Sequence, residues 1–93
     1  MIKSFKDKET SKIYQRELSR KFPIDVQSTA LRRLVYLNAA KSLNDIGKIP
    51  GHRLKSLKGD REGQHNIRIN DQYRICFVWQ DGNAYDVEVT DYH

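Results

Sequence analysis

Apolar residues recur at two spacings along this chain, and the change from one to the other divides it into a helical part and a strand part. Ile2-Lys3-Ser4-Phe5 alternates apolar and polar side chains, which predicts a short first strand. Between Asp7 and Lys21, Ile13, Tyr14 and Leu18 are spaced for one face of a helix that Pro23 stops near Phe22. A second helix is expected from near Asp25, a candidate N-cap, with Val26, Ala30, Leu31, Leu34, Leu37 and Ala40 on one stripe. A turn follows over residues 43–47, and Gly and Pro then make residues 49–63 a loop, with at most a short strand at Arg53–Leu57.

Past Gly63 the period becomes two. Strands are expected over His65–Ile69, Tyr73–Trp79 and Tyr85–Tyr92, turned by Asn70-Asp71-Gln72 and by Gln80-Asp81-Gly82-Asn83. Two N-terminal helices packed on a small, mainly antiparallel sheet define an α+β fold, one domain over residues 1–93. Strand parity puts Tyr73, Ile75, Phe77 and Trp79 on the core face, with Tyr85, Val87 and Val89 as the matching set. The opposite face carries Arg74, Cys76 and Val78, then Asp86, Glu88, Thr90 and Tyr92. An arginine between apolar neighbours is expensive to leave unpaired, so Arg74 meets either a carboxylate or a phosphate.

Composition narrows the classes. The 38% hydrophobic content supports a packed core despite 31% charged residues, which argues against disorder. No apolar run approaches a membrane span and the N-terminus has no signal-like segment, so a cytoplasmic location is expected. Cys76 is the one cysteine and reads as a buried, inert thiol. No histidine or cysteine pair has metal-ligand spacing, so neither metal nor cofactor is expected. The net charge of +5 is uneven: residues 1–63 hold 15 Lys and Arg against 7 Asp and Glu, and the remainder 2 against 5. That asymmetry makes a polyanionic partner plausible, with a generic solvated face as the plainer alternative.

Three segments together resemble the HigB toxins of the RelE superfamily: Leu57-Lys58-Gly59-Asp60-Arg61-Glu62-Gly63, Asn70-Asp71-Gln72-Tyr73-Arg74-Ile75-Cys76-Phe77, and Asp91-Tyr92-His93. The resemblance runs the length of the chain. It implies the toxin of a type II toxin-antitoxin system, a ribosome-dependent endoribonuclease neutralised by a helix-turn-helix antitoxin of the HigA type. It further implies that ribosome and mRNA are partners, and that operator DNA is met only through the antitoxin complex. Cutting RNA without a metal needs a base for the ribose 2′-OH, cations for the phosphorane-like charge and an acid for the leaving 5′ oxygen. Asp91, Tyr92, His93 and Arg74 can supply these functions, with the acid and base left open among them, and Lys58, Lys55, Arg53 and His52 form a basic loop for phosphate. HigB toxins often carry a histidine three residues before the lysine of Leu-Lys-Gly; this chain has Lys55 there, with His52 three positions further back. That departure keeps a second reading open, a non-catalytic nucleic-acid or protein-binding module on the same fold.

Overall fold

A computed structural model describes residues 1–91. Helix α1 spans Lys8–Tyr14, capped by the Asp7 carboxylate, which accepts from Thr10 N at 2.7 Å. It is shorter than its apolar spacing predicts, because Arg16 turns into the left-handed region at φ 64°. The irregular stretch beyond is held from α2: Gln27 Nε2 donates to the carbonyls of Ser19 and Phe22, and Gln27 Oε1 accepts from Ser19 N. Helix α2 spans Ile24–Ala39 and buries Val26, Gln27, Ala30, Leu34 and Leu37. Its N-cap is Pro23 rather than Asp25, which falls in the first turn, where a negative charge suits the helix dipole.

The expected turn at residues 43–47 is a short helix, α3 (Leu43–Gly47), started by Ser42 Oγ accepting from Asp45 N at 3.1 Å. It buries Ile46. The loop then yields a two-residue strand β1 (Lys55–Ser56) and a 3-10 turn at Gly59–Arg61. Strands β2 (Gln64–Arg68), β3 (Tyr73–Gln80) and β4 (Asn83–Asp91) complete an antiparallel sheet in the order β1-β2-β3-β4. The N-terminal segment extends the sheet beyond β4 through parallel bridges Ile2 to Ala84 and Phe5 to Val87. The expected first strand is thus reduced to two bridges, tied by Lys3 N to Ala84 O and Val87 N to Ser4 O.

Helices cover one sheet face, where Leu34, Leu37, Ile67, Ile75, Phe77 and Val87 are wholly buried. Each contributes roughly 1.5–3 kcal/mol relative to exposure. One parity expectation fails. Between the pairs Cys76–Glu88 and Val78–Tyr85, β3 has one residue and β4 has two, so β4 carries a bulge at Asp86, whose φ is 52°. The bulge exchanges the faces upstream of it. Ala84, not Tyr85, joins the core, and Tyr85 stands half-buried opposite Val78. Among the described residues no helix is long and apolar enough to cross a membrane.

Candidate active site

The face of the sheet opposite the helices gathers most of the chemistry-bearing side chains. Residues paired across strands share a face, so the registers define rows: Lys55–Asn66–Cys76–Glu88, then Arg68–Arg74–Thr90. Lys55 and Arg74 therefore lie on one side of the sheet. Arg74 is half-buried and donates from Nη1 to Asn66 Oδ1 at 3.0 Å, while Asn66 is wholly buried. A guanidinium has no acceptor, so this contact fixes the amide with its oxygen toward Arg74. Asn66 Nδ2 then points elsewhere, without a hydrogen-bond partner among the described residues.

The 3-10 turn brings Arg61 over the same face, where its Nη1 reaches Gln64 Oε1 at 3.3 Å and Glu88 Oε1 at 3.1 Å. Glu88 also accepts from Thr90 Oγ1 at 3.3 Å and pairs with Lys6 at 3.8 Å. One carboxylate thus anchors two cations at the β4 side, and Lys55 and Arg74 lie further along the face. Lys58 is exposed at the start of the 3-10 turn. Cys76, beneath this layer, is 1% exposed, and burial pushes its thiol up, as an inert thiol requires.

Other candidates sit elsewhere. His52 is 0% exposed, its Nδ1 lies 3.0 Å from the Ile46 carbonyl, and Tyr36 stands edge-on to its ring. It is an interior residue, so its expected place in a phosphate-binding loop is overturned: a short helix and the backbone bonds that its own N–H and carbonyl make with Ile49 and Arg68 enclose it. Arg53 is exposed, with φ 46°. Asp91 pairs with Tyr73, which puts it on the parity of the helix side at the sheet's end, where its Oδ2 accepts from Gln72 Nε2 at 3.2 Å. Arg74 and Asp91 are therefore not on one face. Tyr92 and His93 lie outside the described residues. His65 packs against Phe77 and meets Ser56 Oγ at 3.1 Å, a packing and hydrogen-bonding role. No group of three His, Cys, Asp or Glu is placed to hold a metal ion among the described residues.

Sequence reasoning missed Asn66 and Arg61 as parts of this face. The parity of β2, which groups Gln64, Asn66 and Arg68, was the available signal for the first; the fold-back of the 3-10 turn over the sheet left none for the second.

This arrangement, helices on one face of a four-stranded antiparallel sheet, is the fold of the RelE-type toxins. The YoeB–YefM complex from Staphylococcus aureus superposes with a TM-score of 0.64 at 15% identity, covering 100% of this chain and 98% of that one. The family description that matches residues 3–93 is "RelE-like toxin of type II toxin-antitoxin system HigB", and the chain belongs to that family. It is 36% identical over 85 residues to Toxin HigB-1 of Vibrio cholerae, covering 90% of each chain. It is also 31% identical over 93 residues to Endoribonuclease HigB of Proteus vulgaris, covering 100% of each.

Proposed function

We propose that this toxin is an endoribonuclease that cuts translated messenger RNA on the ribosome, without a metal, and that a helix-turn-helix antitoxin of the HigA type neutralises it. The observation that carries the reading is the placing of Arg74 and Lys55 on the one sheet face that the helices leave free, with Arg74 held against the buried Asn66. The name of the Proteus vulgaris relative, an endoribonuclease, supports the activity, and the Staphylococcus aureus complex supports a protein partner.

In this mechanism a base removes the ribose 2′ proton, the 2′ oxygen bonds to phosphorus, and the bond from phosphorus to the 5′ oxygen breaks. An acid returns a proton to that oxygen, leaving a 2′,3′-cyclic phosphate and a free 5′-OH. The fork of Arg74 neutralises the non-bridging oxygens as charge builds on them, with Lys55 and Lys58 adding positive charge. Proton transfer falls to Tyr92 and His93, since Asp91 has the parity of the helix side, and a histidine can act as acid or base near neutral pH.

Expressed alone, the chain is expected to arrest bacterial growth, with messages cut within codons and free RNA cut slowly. Arg74→Ala and deletion of His93 should each lower the single-turnover rate on ribosome-bound message by on the order of 100- to 10,000-fold, with thermal unfolding little changed for the deletion. Lys55→Gln with Lys58→Gln should weaken ribosome binding and flatten its salt dependence. Near-normal cleavage by both the Arg74 and His93 variants takes the chemistry off this face. Ribosome binding by the unaltered chain without any cleavage favours the binding-module reading.

A further inference from the structure

On the helix side of the molecule a second cationic cluster forms where α2 meets the loop before β1. The Arg33 guanidinium rests over Gly51: its Nη1 donates to Pro50 O at 3.3 Å, and a Cβ at position 51 would stand 2.8 Å from its Nη2. Gly51 itself is left-handed, at φ 86°, so no side chain readily takes its place. Arg33 Nε is buried without a hydrogen-bond partner among the described residues. Arg32 precedes it on the helix, and Arg53 follows Gly51 by two residues, both exposed.

Charge is poorly balanced here. Burial first, then the charges of Arg32 and Arg68, make Arg33 easier to deprotonate than an ordinary arginine. Of Arg32, Arg33, Arg53 and Arg68, only Arg68 is within ion-pair distance of a carboxylate among the described residues, 2.6 Å from Asp71. A guanidinium partly withdrawn from water among like charges, with one long carbonyl contact, is destabilising until an anion joins it. Tyr36, one helical turn from Arg33, is 46% exposed and offers a ring beside those charges. Arginine forks fit phosphate oxygens two at a time, and an exposed ring takes a stacked base; a carboxylate side chain would use only the first of these features.

We propose that Arg32, Arg33 and Arg53, with Tyr36 beside them, form a second RNA site that grips phosphates of folded RNA where α2 meets the loop before β1. It rests on the ribosome-directed activity proposed above and extends it: ribosomal RNA occupies this site while the open sheet face receives the message.

Purified ribosomes are the probe, with affinity measured over a range of salt. A folded Arg32→Gln/Arg33→Gln protein should bind tenfold or more weakly, with a slope of log affinity against log salt shallower by about one for each phosphate no longer gripped. Gly51→Ala keeps every charge but displaces the guanidinium, and should weaken binding several-fold; if it unfolds, Arg33→Gln alone gives the same reading. Wild-type affinity and slope in the folded double variant overturn the site. So does weakened antitoxin binding with ribosome affinity unchanged, which assigns the cluster to a protein partner, and so does a wild-type chain that cleaves RNA without binding ribosomes. Ribosome binding that depends on Arg33 in a chain that never cleaves RNA keeps this site and removes the enzymatic reading.

Discussion

His52 meets the Ile46 carbonyl through Nδ1, and a carbonyl only accepts, so that nitrogen carries the proton and Nε2 is left bare in the interior. Charging the ring would bury a second proton with no acceptor. Burial first, and the Arg33 charge to a smaller degree, hold His52 below the usual histidine value, while the bond to Ile46 works the other way; burial also lowers His65. With folded-state values depressed, the unfolded chain takes up protons first as pH falls through about 6.5. Stability is therefore complete above that pH and declines progressively below it. The urea midpoint is expected to fall between about pH 7 and pH 5, and His52→Gln should flatten part of that fall. An identical slope in the variant would assign the decline to other groups.

Strand β4 owes its side-chain assignment to Asp86. With φ at 52°, this residue holds a conformation that penalises a Cβ, although aspartate tolerates it better than most, and its N–H donates to Ser4 Oγ at 2.9 Å. Asp86→Gly should stabilise by up to about 1 kcal/mol, and Asp86→Val should destabilise by roughly 1–2 kcal/mol, both read from urea unfolding. Equal stability of the two variants would mean that the bulge conformation is not maintained. No periodicity signals such a bulge, which is why Tyr85 reads as core in sequence while Ala84 occupies that place. The stripe of α2 and the alternation of β2 and β3 were legible because one buried face imposes each period. The end of α1 was not: residues 16–22 keep a helix-like spacing but obey the distant side chain of Gln27.

At the scale of the molecule, the excess positive charge of residues 1–63 is spread over both sides of the sheet, with Arg61 and Lys55 on the open face and Arg32 and Arg33 on α2. Charge counting along the sequence anticipates a polyanion but cannot say that the cations separate, since that depends on how the loop before β1 folds. Arg74 was legible as a functional or ion-paired residue from its apolar neighbours, and among its contacts is a buried amide contributed by the adjacent strand. His52 misled because a histidine in a Gly- and Pro-rich loop reads as exposed, whereas α3, itself read as a turn, closes over it.

The parallel bridges of Ile2 and Phe5 to β4 join residues about eighty positions apart, as the 82-residue separation of Ser4 and Asp86 illustrates. Closing so long a loop before other contacts exist is entropically unfavourable, whereas the β2–β3 and β3–β4 hairpins close over short turns. The N-terminal segment is therefore expected to dock after the rate-limiting barrier, onto a sheet already formed. Phe5→Ala should accelerate unfolding while leaving the refolding rate within about twofold, the signature of a contact absent from the transition state. A variant that instead refolds more slowly in proportion to its reduced stability would place this docking in the folding nucleus.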